Sequence, residues 1–354
     1  MNHILGVDMS QSMETMVIQA DTDHFRRVAK ATPEKAIAEL VWNAFDGDAD
    51  NIHVNLKLDI ADSQLTVSDD GTGIDLETAR KHFARVGGSW KRTKKKTAKN
   101  RTIHGEKGEG RLKAFSLGHS IVWHTTYREG DRLFNFEIHA DSGNIGVVNF
   151  TDKVEVTGVD TGTQVVVSNL TDAVMKDPSK QLVNNGLDRW VNTISNKLTL
   201  MFAPVLLTYP QITITVNGVE LEPGVHLMNE PETVEIKDAE GNILGTFKIL
   251  LWNDIQASNV YLCKQDGAVL EEYESKATEI KSFGYKYSAY IQSSLLTEDT
   301  VALVDMDESI TFLVSESIQV LNEKFKTMKD AEKANRIGRW IDDGIYPYDQ
   351  KSPD

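Results

Sequence analysis

Apolar residues recur every three to four positions between Thr32 and Gly47, and this period predicts an amphipathic helix. Thr32 is a suitable N-cap, Pro33 suits the first helical turn, and Gly47 is expected in the left-handed conformation just past the helix end. One side of this helix is apolar and is expected to pack on a sheet. Its members are Ile37, Leu40, Val41, Ala44 and Phe45.

The other side of the same helix carries an unusual polar set. At 100° per residue, Glu39, Asn43 and Asp46 fall within about 60° of one another. Two carboxylates and an amide on a half-buried helix are costly unless a polar ligand lies beside them. A solvated helix face is the ordinary alternative, so the choice between the two depends on the segments after Gly47.

Alternating and helical patterns divide the chain into two parts. Strands are predicted at 52–58, 65–67, 121–127, 133–139, 147–150 and 161–167, and helices at 75–86, from Arg111 and at about 180–202. This succession predicts an α+β domain with an antiparallel or mixed sheet. A second set of strands is predicted at 212–216, 234–236, 247–252, 260–264 and 285–291, before a long helix over roughly 308–340. The expected organisation is an arm (1–19), a first domain (20–203), a second domain (204–307) and a C-terminal helix with its tail (308–354).

Composition narrows the class of protein. With 354 residues, 40% of them hydrophobic, the chain can build two domains. A net charge of -15 argues against a constitutive non-specific nucleic-acid binder. Cys263 is the single cysteine, which excludes a disulfide framework and fits a reducing cytoplasm. No apolar run long enough for a membrane span and no signal peptide is found, so no membrane contact is expected.

Two glycine-containing segments come after the first helix. Asp69 ends a predicted strand and is followed by Gly71 and Gly73, which allow a tight turn and the close approach of a flat ligand. From Arg85 to Lys113 there are eleven Lys or Arg residues against two Glu. Such a run is usually a solvated loop or a nucleic-acid patch, but its glycines favour a flexible lid over an anion.

The glycines at 105, 108 and 110 lead into the helical pattern that starts at Arg111. Main-chain N–H groups of a glycine-rich loop at a helix start form an anion site. The spacing G-x-x-G-x-G is neither the Walker nor the Rossmann pattern, and no βαβ pattern flanks it. A P-loop and a dinucleotide fold are therefore rejected.

Four segments, in this order, resemble the sequence boxes of the Bergerat-fold ATPase superfamily, which includes gyrase B subunits, heat-shock chaperones, histidine kinases and MutL. They are ELVWNAFD (39–46), VSDDGTGI (67–74), GEKGEGRLKAFSLG (105–118) and TGTQVVV (161–167). The resemblance covers about 20–200, and 204–330 is similar only in placement to a transducer domain. It implies a Bergerat ATP-binding sandwich, with a mixed, mostly antiparallel sheet and helices on one face. A smaller α/β transducer-like domain and a long C-terminal helix would follow.

The resemblance also implies roles for individual residues. Glu39 is the expected general base for the attacking water and Asn43 the Mg²⁺ ligand. Asp46 is expected at the edge of the nucleotide site, where it helps to hold water or ribose. Asp69 is expected to accept a hydrogen bond from the adenine amino group, with Thr163 supporting it. Lys264 is the candidate for the second-domain lysine that reaches the γ-phosphate, and is grouped with Glu39 as catalytic. The nucleotide-binding set is Asn43, Asp46, Asp69, Gly71, Gly73, Ile74, Ser89, Lys91, Gly105, Lys107, Gly108, Glu109, Gly110, Arg111 and Thr163.

The function implied is Mg²⁺-dependent ATP binding and hydrolysis that closes the lid and dimerises the chain. The form GEKGEGRLKAF is similar to stand-alone prokaryotic chaperone-like or MORC-like proteins, which implies antiviral defence or a DNA-associated role. A protein or nucleic-acid partner at the basic lid is a further expectation. Three alternatives stay open: an ATP-holding module without turnover, a DNA-repair or topoisomerase-like subunit, and a histidine kinase. The last is disfavoured because only about thirty residues precede the first box and because His24 is followed by Phe25.

Overall fold

The computed structural model describes residues 29–59, 62–83, 96–104, 110–174, 186–274 and 279–343. The expectations for the arm at 1–19 and for the tail from 344 onward lie outside these ranges. No helix within the ranges is long and apolar enough to cross a membrane.

The regular elements of the chain fall into two parts. The first part contains α1 (Pro33–Asp46), β1 (Asn51–Lys57), β2 (Gln64–Asp69), α2 (Leu76–Phe83), α3 (Gly110–Lys113), β3 (Gly118–Glu129), β4 (Arg132–Asp141), β5 (Val148–Phe150), β6 (Val154–Val156), β7 (Gly162–Leu170), α4 (Gly186–Thr208), β8 (Thr213–Val216) and β9 (Val219–Glu220). The second part contains β10 (Glu232–Lys237), β11 (Ile243–Leu251), β12 (Ser258–Lys264), β13 (Val269–Glu272), β14 (Tyr287–Ser293) and α5 (Glu308–Asp342).

A large sheet forms the centre of the first part. Its strands run β5-β4-β3-β7-β2-β1-β8-β9, with β6 paired to β4. Neighbouring strands are antiparallel except for the parallel pair β1 and β8. This is the mixed, mostly antiparallel sheet that the α+β prediction describes. On β1, Ile52, Val54 and Leu56 are buried while the residues between them are exposed, so one face of the strand points into the core.

Helix α1 packs its apolar side into the core of this sheet. All five of its predicted apolar residues are buried, and its bounds agree with the prediction. The helix end differs from the expectation, because Gly47 has φ -83° and is not left-handed. Asp48 takes the positive φ, +62°, instead. Its carboxylate accepts a hydrogen bond from the Lys99 main-chain N–H at 3.2 Å, which helps to hold this uncommon conformation.

The boundary expected at 203/204 falls inside α4, and β8 and β9 belong to the first sheet. Pro204 lies within the helix and does not end it. Proline has no N–H, so the carbonyl four residues earlier, on Leu200, loses its helical donor. The Tyr290 hydroxyl donates to that carbonyl at 2.7 Å. Because a partner from β14 satisfies the backbone, α4 continues past the proline and returns the chain to the edge of β1.

The second part is a five-stranded sheet with a helix on each face. Its strands run β10-β11-β14-β12-β13, with β12 and β14 parallel. Helix α5 covers one face through residues such as Leu313, Leu321 and Phe325. Helix α4 covers the other face through Leu200 and Ala203. Helix α4 therefore lies between the two sheets and contributes to both cores.

Candidate functional site

A cleft of about 610 Å³ opens between α1, the end of β2, α2 and the start of α3. This volume is in the range of small-molecule sites. Several residues that the sequence singled out line it together. They include Glu39, Asn43, Asp46, Asp69, Gly73 and Thr163.

Asp69 has a pKa that is perturbed by its position in the cleft. Its Oδ1 accepts hydrogen bonds from the main-chain N–H groups of Gly71 at 2.9 Å and Thr163 at 3.3 Å. Burial raises the pKa of this carboxyl to about 6, although the two N–H donors oppose the shift. The neighbouring Asp70 charge raises the pKa further. A half-buried acid with a perturbed pKa in a cleft is typical of a functional site.

The turn after Asp69 is tied closely to β3. Gly73 has φ +70°, and a Cβ there would collide with the main-chain carbonyl of Thr126. The next N–H, on Ile74, donates to Thr125 Oγ1 at 2.8 Å. Thr125 Oγ1 also lies 3.2 Å from Thr163 Oγ1. The glycine requirement at 73 therefore comes from contact with the protein backbone, whereas the sequence was interpreted in terms of the approach of a flat ligand.

Glu39 lies where α1 meets the start of α3. Lys113 Nζ donates to Glu39 Oε1. A Cβ at Gly110 would come too close to Glu39 Oε2, so a larger residue there would force the carboxylate to move. Glu39 and Lys113 are each about one-third exposed, at 30% and 32% of their side-chain surface. Glu39 lines the cleft, and Lys113 fixes one of its carboxylate oxygens.

Asn43 and Asp46 come after Glu39 along the same helix. Asn43 is exposed and lines the cleft. Asp46 is buried, and its Oδ1 accepts from the His104 main-chain N–H at 2.9 Å and lies 3.2 Å from His104 Nδ1. Asp46 is thus engaged by a residue that the sequence analysis did not single out.

His104 is placed by the segment 96–104, which is bound to the connection between α1 and β1. Arg101 is 1% exposed, donates to the Ala49 carbonyl and pairs with Asp50. Lys99 Nζ reaches the other oxygen of Asp50 at 2.5 Å. The hydrogen bond from Lys99, together with the Arg101 contact, lowers the pKa of the Asp50 carboxyl. These contacts fix the segment that ends at His104.

Arg111 was predicted to bind phosphate, and the structure places its guanidinium at the end of α2. It donates to the carbonyls of His82 at 3.0 Å and Phe83 at 3.3 Å. These carbonyls belong to the last turn of a helix, which lacks intrahelical donors. Burial lowers the pKa of Arg111 to about 10. Arg111 lines the cleft but also caps α2.

Lys264 comes from the second part of the chain, at the end of β12. Its Nζ donates to the His104 carbonyl at 2.8 Å and lies 3.7 Å from Glu298 Oε1. The second part therefore contacts the residue that directly precedes the glycine-rich segment. The remaining predicted residues lie outside the described ranges; they are Ser89, Lys91, Gly105, Lys107, Gly108 and Glu109.

Three residues of the site were missed from the sequence. Lys113 was missed because its partner, Glu39, lies 74 residues earlier on another helix. Thr125 and His104 carry no local signal, because their partners are more than thirty residues away along the chain.

Residues 31–163 match the sequence model of a family described as histidine kinase-, DNA gyrase B- and HSP90-like ATPases. This part of the chain is similar to that family in sequence, and its mostly antiparallel sheet with α1 packed against it agrees with the match. ATP binding is supported by the family, which by its description includes kinases as well as ATPases.

A protein of Herpetosiphon aurantiacus, named "Putative type II restriction enzyme HgiDII", is 27% identical over 112 residues. The matched region is 32% of this chain and 17% of that protein. The chain thus spans less than a fifth of the relative's length.

Proposed function

We propose that this chain binds MgATP in the cleft and hydrolyses it to ADP and phosphate. The observation that carries the proposal is that Glu39, Asn43 and Asp69, which come from α1 and from the end of β2, line one cleft. Hydrolysis requires positioning and charge neutralisation more than covalent catalysis. These three residues would position the base, the metal and the attacking water, and the bound Mg²⁺ would supply the positive charge.

Asp69 would recognise the base. Its carboxylate lies at the cleft, and its Oδ1 is occupied by two main-chain N–H groups. A carboxylate held in this way accepts a hydrogen bond from an exocyclic amino group, which adenine has and which guanine presents elsewhere on its ring. Val67 and Val165 line the same cleft and offer apolar contact to a flat ring.

Asn43 would hold the metal. Its amide oxygen is a ligand type that Mg²⁺ accepts, and the exposed side chain lines the cleft in which a phosphate-bound ion would lie. When bound, Mg²⁺ would neutralise charge on the phosphates. The role of the glycine-rich segment before Arg111 in phosphate binding stays a prediction.

Glu39 would act as the general base. Lys113 holds its Oε1, and Gly110 leaves space beside its Oε2, so this oxygen can be directed toward a water at the phosphate end of the cleft. Lys113 fixes the carboxylate in one orientation, and a positioned base contributes about 10²–10⁴-fold to rate.

A phosphate-release assay tests the proposal. Glu39→Gln and Glu39→Ala are expected to lower kcat at least about 100-fold while fluorescent-ATP binding stays within about threefold. Glu34→Gln is the matched control: Glu34 lies on the same helix, pairs with Lys197 at 2.6 Å and does not line the cleft. Wild-type binding without phosphate release would favour the binding-module alternative. Phosphate transfer to a protein histidine would favour a kinase.

The wider role that we propose is a nucleotide-driven switch with lid closure and homodimerisation. Support comes from the contact of Lys264 with the His104 carbonyl, since it links the second part of the chain to the cleft. Sedimentation with and without a non-hydrolysable ATP analogue tests dimerisation, and a mass that does not change refutes it. The name of the Herpetosiphon relative supports a setting in DNA-associated defence.

A further inference from the structure

His104 is a buried histidine whose ring nitrogens face carboxylates from both parts of the chain. Nδ1 lies 3.2 Å from Asp46 Oδ1, on α1. Nε2 lies 3.4 Å from Asp266 Oδ2, on the turn between β12 and β13. The side chain is 6% exposed and packs on Trp42, with ring centroids 3.9 Å apart. Packing therefore fixes the ring while its polar atoms bridge the two parts.

The β12–β13 turn, Lys264–Val269, is docked on the first part of the chain. Ala268 is buried in the core of the first sheet. A Cβ at Gly267 would lie 3.1 Å from Pro204 Cβ, which shows how closely the turn approaches α4. The Lys264 ammonium donates to the His104 carbonyl at 2.8 Å. The turn thus faces His104 with two polar groups, one toward its ring and one toward its backbone.

The ring contact to Asp266 is close but incomplete. Among the residues that the structure describes, Nε2 of His104 has no partner that satisfies hydrogen-bond geometry, although it is buried. A buried polar atom without a hydrogen bond is unfavourable. A small approach of the turn would complete the contact, and a small retreat would weaken it further.

We infer that His104 is a positioning residue through which the β12–β13 turn sets the orientation of Asp46 at the cleft. The inference rests on the proposed ATPase function. A ligand that moves Asp46 shifts the ring and hence favours one position of the turn. By linkage, the position of the turn changes how the cleft holds its ligand. A histidine that served packing alone would use its Trp42 contact and would not depend on the Asp266 charge.

The test uses the full chain with Asp266→Asn. The side-chain oxygen of the introduced asparagine can still accept from the Ala268 N–H, as Asp266 Oδ1 does at 3.1 Å, so the turn is kept. The NH₂ of the new side chain would replace the oxygen that faces His104. Asp254→Asn is the matched control, because it removes an exposed pair with His226, 2.9 Å long, that lies away from the cleft. Measured quantities are the fluorescent-ATP Kd, kcat and hydrogen exchange of the turn with a non-hydrolysable analogue.

The expected result is selective. In wild type the analogue slows exchange in the turn. Asp266→Asn abolishes this protection and lowers kcat at least about tenfold, while the Kd changes less than about threefold and Asp254→Asn matches wild type. In a His104→Ala background, Asp266→Asn changes kcat less than about twofold, because the histidine through which Asp266 acts on Asp46 is absent.

Two results overturn the inference. One is wild-type kcat and wild-type protection in Asp266→Asn; the other is an undiminished Asp266→Asn effect in the His104→Ala background. Failure of the proposed function is a separate observation, made on wild type alone: neither ATP binding nor phosphate release.

Discussion

Replacing Asp69 with asparagine should stabilise the protein and impair nucleotide binding at the same time. Burial raises the pKa of this carboxyl from 3.8 to about 6. A rise of this size corresponds to about 3 kcal/mol of unfavourable charge burial at neutral pH. The introduced amide oxygen could still accept from the two main-chain N–H groups that Asp69 Oδ1 uses, yet the side chain carries no charge. We expect the Tm at pH 8 to rise by about 5 °C or more.

The sign of the pH dependence is set by the direction of the pKa shift. Above pH 6 the folded wild type must keep an ionised carboxylate in a half-buried position. Between pH 6 and 4 this group takes up a proton more readily in the folded state than in the unfolded state, so the cost is relieved. The stability advantage of Asp69→Asn should therefore be largest at about pH 7–8 and should vanish toward about pH 4.

The affinity of Asp69→Asn for ATP should fall, although its stability rises. The introduced amide would turn its NH₂ into the cleft, where it meets the amino group of adenine, and two donors cannot pair. Fluorescent-ATP titration should show a loss of at least about tenfold in affinity, since an unpaired buried polar group costs about 1–3 kcal/mol. Wild-type affinity should also decline below pH 6, as Asp69 becomes protonated.

Asp70→Asn is the matched control for this experiment. Asp70 is exposed, and its Oδ1 accepts from the N–H groups of Asp50 and Asn51, each at 2.8 Å. Desolvation opposes ionisation of this carboxyl, but the hydrogen bonds outweigh it and lower the pKa. Asp70→Asn should therefore destabilise the fold above about pH 4. A lower Tm for Asp69→Asn at pH 8, or ATP affinity equal to wild type, would refute the reasoning.

Three further predictions concern the frame of the site. Tyr290→Phe should lower the free energy of unfolding in urea by about 1–3 kcal/mol, because the Leu200 carbonyl, which Pro204 leaves without a helical donor, also loses the Tyr290 hydroxyl. In a Pro204→Ala background the helical N–H is restored, and the loss should be less than about half as large. Gly73→Ala should destabilise the folded protein by at least about 2 kcal/mol. The effect should exceed that of Gly130→Ala, because Gly130 also has a positive φ but faces open space. Equal effects would contradict the collision with β3. Lys264→Ala should lower kcat about 10–100-fold with an unchanged ADP Kd, and wild-type turnover would remove this lysine from the mechanism.

Local patterns were sufficient for much of the fold. The period from Pro33 to Asp46 predicted α1 with its bounds, and alternation predicted most strands within a few residues. The pairing of the strand at 213–216 could not be predicted, because alternation indicates a strand but not its sheet. Pro204 was interpreted as a boundary, since the Tyr290 hydroxyl that compensates for it comes from β14, in the other sheet.

Part of the candidate site could likewise be predicted from the sequence, and part could not. Glu39 and Asn43 could be placed together because helical geometry fixes their spacing, and the order of the boxes brought Asp69 to the same cleft. Asp46 was predicted at the edge of the nucleotide site and lines the cleft, but its hydrogen bond with His104 was not predicted. That contact depends on the anchoring of Arg101 to Ala49 and is a property of the folded chain, so no local pattern could reveal it.

The shared helix α4 determines how this protein can be dissected. A fragment cut at residue 203 would stop in mid-helix and discard the strand beside β1. A longer fragment that ends at residue 222 would keep the first sheet whole, but it would expose the apolar side chains of Leu200 and Ala203 to solvent. An isolated nucleotide-binding fragment would therefore need polar side chains on that face of α4, because the helix belongs to the cores of both sheets.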